Sequence, residues 1–255
     1  MGVEKLVRPL SSSLPQVLTA SPVLHIPRQT TELVLEPTPA ATCMGRFYEA
    51  LTAAIHGGEV TTFLGEYTAD YLFDLRVLLD RSLQPDVVDA QRNRLLESKA
   101  SRRSMSCQLS ESQINSYEEA QHNKPYPTVS YIFYRHCFDG IKSRWKGPEA
   151  AIYRKLARST SYSVVLPLSV ITHLRDSADE RFAAHSRDEA LEVRSSFFSS
   201  LINDPEEAFV RIGLDPADYH FLDYITADNL TVNRTNVRPF PIRYVEPAQA
   251  NDVPF

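Results

Sequence analysis

The stretch VSYIFYRHCFDGI, residues 129–141, follows the breakers Pro125 and Pro127 and sets Val129, Ile132, Phe133, His136, Cys137 and Ile141 at helical spacing. Read as a helix, it predicts a helical centre, because segments on both sides show the same signals. Upstream, Ser110 with Gln113 three residues on has the spacing of a capping box and opens a helix, and Pro85-Asp86 starts another that runs to about Lys99. Ser98 to Ser106 reads as a polar surface loop between the two. Downstream, Gly147-Pro148 resets the chain for a helix through about Arg158.

Farther out, Thr38-Pro39 pairs an N-cap with proline at the first helical position, and Met44, Phe47, Tyr48, Leu51 and Ile55 recur at helical spacing until Gly57. Glu66 to Ser82 repeats the pattern, with Tyr71, Leu72, Leu75, Leu78 and Leu79 as its stripe. Ser163 to Leu174 is β-branched and apolar, either a buried strand or a short core helix. Asp176 to Ile202 reads as one long helix with a break near His185-Ser186. Asp204-Pro205-Glu206-Glu207 is a cap, a proline and first-turn acids in order, closed by Gly213, and Asp215-Pro216 repeats the device. The expectation is a mainly α fold: a single helical domain of about seven to nine helices over residues 38–228, with at most a minor sheet. It is flanked by extended proline-rich arms, 1–37 and 229–255.

Composition bounds the function. The 255 residues include 17 prolines but only 8 glycines, and the one close pair, Gly57-Gly58, reads as a helix C-cap rather than a phosphate-cradling loop. No apolar run reaches the ~20 residues that span a bilayer. Cys43, Cys107 and Cys137 form no CxxC pair, which fits a reducing compartment. Met1-Gly2 lacks the Ser or Thr at position 6 that myristoylation uses, and Asn229 and Asn233 match the glycosylation pattern without a secretory signal peptide. Residues 1–31 hold Lys5, Arg8 and Arg28 against Glu4, as a mitochondrial presequence would, yet Pro9, Pro15, Pro22 and Pro27 break the helix such a signal needs. An intracellular, cytoplasmic protein is expected, with mitochondrial import as the alternative.

The net charge of −5 hides a segregation. Residues 32–80 carry 2 basic and 8 acidic side chains, residues 81–158 carry 14 and 8, and residues 159–223 carry 5 and 12. Such acidic, basic and acidic blocks suit complementary faces that pack together or dock onto neighbours. The basic block also interleaves Tyr131, Phe133, Tyr134, Phe138, Trp145 and Tyr153 with its cations. Arg102, Arg103, Arg135, Lys142, Arg144, Trp145 and Lys146 are therefore the candidate contacts to nucleic acid or to a protein partner. The competing reading makes these aromatics core and their basic neighbours a solvated face.

Candidate chemistry is sparse. Glu119-Ala120-Gln121-His122 has the Glu-x-x-His spacing of carboxylate-bridged metal bundles, without the second such pair that a complete site needs. His173 with Asp176 and Asp179, and His185 with Asp188 and Glu189, pair imidazoles with acids as acid-base sites do. Cys137 beside His136 would project about 100° away from it on a helix, so it reads as a buried cysteine rather than a nucleophile. No metal, cofactor or catalytic residue is assigned.

His56-Gly57-Gly58-Glu59, Arg102-Arg103-Ser104-Met105-Ser106, Val165-Leu166-Pro167 and Glu192-Val193-Arg194, in that order, resemble the sequence blocks of flavin-dependent thymidylate synthases. The resemblance implies a flavin site and deoxyuridylate methylation. The Arg-His-Arg-x-x-Ser signature of that family is not intact here, and the spacings differ, so no residue role is carried over. Three functions follow in order: a structural subunit that contacts neighbours through its arms, a nucleic-acid-binding protein using residues 81–158, and an enzyme of the flavin-dependent kind.

Overall fold

The computed structural model describes residues 23–24, 40–61, 84–138, 149–177, 179–185, 189–218 and 243–244. Its fold is mixed α/β and overturns the mainly helical expectation. Among the described residues there are ten strands: β1 (Val23–Leu24), β2 (Glu59–Val60), β3 (Val87–Asp89), β4 (Arg94–Arg102), β5 (Cys107–Ser110), β6 (Thr128–His136), β7 (Thr160–Pro167), β8 (Ala183–His185), β9 (Ala190–Val193) and β10 (Arg243–Tyr244). Six α-helices accompany them among the described residues: α1 (Ala40–His56), α2 (Glu111–His122), α3 (Glu149–Ser159), α4 (Leu168–Ser177), α5 (Ser195–Asn203) and α6 (Pro205–Arg211).

The helical reading of residues 129–141 fails over 129–136, and 139–141 lie outside the described residues. Thr128 to His136 form a central strand, β6, parallel to β4 on one side and antiparallel to β7 on the other. A strand covered on both faces is apolar at nearly every position, so its run also contains the i, i+3, i+4 spacing of a helix. Val129, Tyr131 and Phe133 face one core, and Ile132 and Tyr134 face the other. Burial of each such side chain contributes roughly 1.5–3 kcal/mol, and β-branched and aromatic residues suit a pleated, packed surface.

The same ambiguity explains residues 85–99. Val87-Val88 and Leu95-Leu96 are separated like two turns of a helix, but Val87 pairs with Leu96 and Val88 with Leu95 across a hairpin. A 3₁₀ turn at Ala90–Arg92 and Asn93 in the left-handed region (φ 55°) reverse the chain. The long helix at 176–202 divides into the end of α4, the β8–β9 hairpin and α5. Ser163–Leu174 holds both of its predicted alternatives, strand to Pro167 and helix from Leu168.

Other local signals form as read. α1 ends at Gly57 (φ 80°), and α3 and α6 lie where proline and cap signals place them. Asp204 caps α6 by accepting from the Glu207 backbone N–H at 3.0 Å. Ser110 precedes α2 without a side-chain cap bond: its Oγ lies 2.7 Å from Ser112 Oγ, and Gln113 turns to the core. The predicted helix at 66–82 and most of the two arms lie outside the described residues.

The main sheet has the order β2-β3-β4-β6-β7, with only β4–β6 parallel. α1 and α3 cover one face through Phe47, Tyr48, Leu51, Ile152, Tyr153 and Leu156. Helices α2, α4, α5 and α6, with the antiparallel β5-β9-β8 sheet, cover the other. β1 and β10 form a separate parallel ribbon, with β1 beside α1 and β10 beside α3.

Candidate functional site

On the α2 side of β4, alternate positions Glu97, Lys99 and Ser101 form a polar stripe. Their register partners on β6 are Tyr131, Phe133 and Arg135. A parallel pair at the centre of a covered sheet is ordinarily apolar, so polar groups there need partners. Glu97 is 2% exposed and receives two. Lys99 Nζ donates to Oε1 at 2.5 Å, and Tyr117 O–H donates to Oε2 at 2.6 Å. Gln113 Nε2 donates to the Tyr117 oxygen at 3.1 Å, and Lys99 reaches Gln113 Oε1 at 3.4 Å. The four side chains close a ring of hydrogen bonds linking β4 to α2.

Charge in this ring reaches its neighbours. Burial lowers the Lys99 ammonium, but Glu97 and then Asp86 outweigh it and hold the group above its ordinary range. Burial, reinforced by the Glu97 charge, pushes both Tyr117 and Tyr131 well above the usual phenol range. The Tyr131 hydroxyl is buried without a hydrogen-bond partner. From the opposite face, Asp86 Oδ2 accepts from the Ser98 N–H and Oγ, each at 2.8 Å. Burial first and Glu97 second push the Asp86 carboxyl up to about 8, so it retains a proton near neutrality. Burial and Glu97 raise the Glu49 carboxyl as well.

Arg135 ends the stripe and is fully buried. Its Nη2 donates to the backbone oxygens of Arg103 at 2.7 Å and Met105 at 2.6 Å. Its Nη1 donates to Ser101 Oγ and, at 3.4 Å, to Cys107 Sγ, while the guanidinium lies 4.5 Å over the Phe198 ring. Among the described residues its hydrogen-bond acceptors are all neutral, an arrangement that costs desolvation and fixes the β4–β5 turn from beneath. Arg102, Arg103 and Met105 stand exposed on that turn. Burial and the flanking Arg135 and Arg102 depress His136 to about 4, so it is neutral, with Nδ1 accepting the Phe138 N–H at 3.2 Å.

The predicted contact residues therefore separate. Arg102 and Arg103 are on the surface, Arg135 is inside, and Lys142, Arg144, Trp145 and Lys146 lie outside the described residues. Tyr131, Phe133, Tyr134, Phe138 and Tyr153 are core, so none of these rings is available to stack on a base. Cys137 is exposed, contrary to the buried reading, because His136 and Cys137 end a strand rather than share a helix. His122 Nδ1 bonds the Glu118 backbone oxygen at 2.7 Å, and His173 bonds the Ile212 backbone oxygen. Asp176 and Asp179 pair with Arg175 and Arg181. His185 meets Glu111, 74 residues away, and Asp188 lies outside the described residues.

The four blocks of the thymidylate-synthase resemblance divide between the two ends of the sheet. Arg102–Ser106 adjoins Glu192–Arg194, because Cys107 pairs with Val193. Leu166 and Pro167 pair with Tyr131 and Ser130 in the first half of β6, Val165 pairs with Ile132 at its middle, and the His56 backbone oxygen binds Arg94 at the start of β4. Sequence reading missed Asp86, Glu97 and Lys99 because it placed them in a helix and a loop, and it therefore gave Gln113 and Tyr117, correctly placed on a helix, no buried partners. The alternation Leu95, Glu97, Lys99, Ser101 is the signal that a strand assignment would expose. No group of three or more metal-ligating side chains occurs among the described residues. No described helix is long and apolar enough to cross a membrane. Comparison with protein-family models, curated proteins and solved structures gives no match.

Proposed function

We propose that this chain is a structural subunit of a larger protein assembly and holds neighbouring subunits through its proline-rich arms. The observation behind the reading is the parallel pairing of Val23 with Arg243 and Leu24 with Tyr244. Parallel pairs are slightly weaker per residue than antiparallel ones, and a two-stranded element alone is marginal in water. Closing a loop of more than two hundred residues adds an entropic cost. A neighbour that adds a strand to this ribbon would offset that cost, as strand addition does in peptide recognition. The segregated charge of the chain supplies complementary faces for the same contacts.

The test is the solution mass of the full chain and of its Leu24→Pro/Tyr244→Pro variant by light scattering. Proline removes the N–H that a strand pair uses. The expected result is an oligomer of 28.8 kDa chains that the double variant dissociates. A monomeric full chain, or an oligomer indifferent to both prolines, contradicts the proposal.

A further inference from the structure

We propose that His185 is a pH-sensitive latch whose imidazolium form clamps the β8–β9 hairpin to the start of α2 and the end of α4. His185 Nδ1 lies 2.6 Å from Glu111 Oε1, and Nε2 lies 3.1 Å from the Arg175 backbone oxygen. An ionised carboxylate and a carbonyl both accept only, so both bonds form together only when each ring nitrogen carries a proton. Neutral imidazole has one N–H and must give up one of the two.

The surroundings favour the cation. Glu111 is the first residue of α2, and its backbone N–H also donates to the Glu189 carbonyl at 3.2 Å, a second tie between that helix start and the hairpin. The Arg175 carbonyl is in the last turn of α4, where the helix dipole attracts positive charge. Among the described residues, Glu111 on α2 and Arg175 and Asp176 on α4 are the charged groups that interact with the imidazole. Arg175 is the competing cation, but its guanidinium is occupied by Glu118 at 2.9 Å, Asn115 at 2.9 Å and Asp176 at 2.7 Å. Glu111 is thereby left to His185. The hydrogen bond to Glu111 raises the His185 pKa above the ordinary 6.5.

A histidine whose folded pKa is raised adds its full stability below the unfolded value near 6.5 and loses it as pH rises through the folded value. The latch is closed below 6.5 and released as pH rises through the raised folded value. His185 is 59% exposed, so the clamp has the strength of a surface ion pair.

Two measurements on the full chain test it: an NMR titration of the His185 ring, and hydrogen exchange of the hairpin amides at matched intrinsic rates. We expect His185 to titrate above 6.5, and to titrate lower in Glu111→Gln. Protection of Leu191 and its neighbours should fall about twofold to fivefold across that titration, the factor an exposed ion pair supplies. His185→Gln should abolish the step. A wild-type His185 that titrates at or below 6.5, or protection that is flat with pH, overturns the latch.

Discussion

Arg135, at the end of the central strand, donates from Nη2 to the backbone oxygens of both Arg103 and Met105, so one buried cation fixes the exposed turn between β4 and β5. Arg102, the last residue of β4, and Arg103, in the turn, are exposed side chains of the kind trypsin recognises. Arg135→Met keeps the stem volume and removes the donors, leaving two backbone oxygens to find water. Each orphaned group costs about 1–3 kcal/mol. The expected outcome is a lower melting temperature, with trypsin cutting at Arg102 or Arg103 under conditions that leave the wild type intact. Equal resistance in the variant contradicts the assigned role.

Tyr117→Phe removes the O–H that satisfies Glu97 Oε2 and strands the Gln113 donor. A buried carboxylate deprived of one bond makes the loss larger than that of a neutral pair, about 1.5–3 kcal/mol. Denaturant unfolding of wild type and variant reads it directly. An unchanged midpoint would mean that the ring does not hold α2 to the sheet.

Asp86 predicts a pH dependence of the opposite kind from a salt-bridged acid. Its folded pKa, about 8, lies above its unfolded value of 3.8. The folded state therefore binds the extra proton, and this residue's contribution to stability falls as pH rises from about 4 to about 8. Asp86→Asn keeps an oxygen for Ser98 and carries no charge. It should flatten the unfolding midpoint across that range and raise it at the alkaline end. A variant with the wild-type pH profile would contradict this protonation state.

At α6, Asp204→Ala deletes the side-chain bond to the Glu207 N–H, and losing such a cap typically costs about 1 kcal/mol. The loss should show as a lower unfolding midpoint.

How far the sequence reaches depends on the range of the signal. Thr38-Pro39, Gly147-Pro148 and Asp204-Pro205 act within a few residues, and the helices they announce are present. Val87-Val88 and Leu95-Leu96 act through pairing with each other, and residues 129–136 act through two neighbouring strands, so periodicity within either segment cannot report the sheet. The site fails for the same reason. Glu97 meets Tyr117 only because a parallel crossover lays α2 on β4, and His185 meets Glu111 only because β8 and β9 fold back as a hairpin. Arg102 and Arg103 were legible as exposed cations, whereas Arg135, one basic residue among several in its block, gives no local sign that it points inward.

The proposed role of the arms is to join this subunit to its neighbours. It is tested most directly by pairing a thermal melt with a mass determination for the chain shortened to residues 38–228. The expected shortened protein melts cooperatively as a folded body and has lost the assembled mass of the full chain. A shortened protein with the mass and melting temperature of the full chain would contradict it. So would one that fails to fold, which would assign the arms to the subunit's own core.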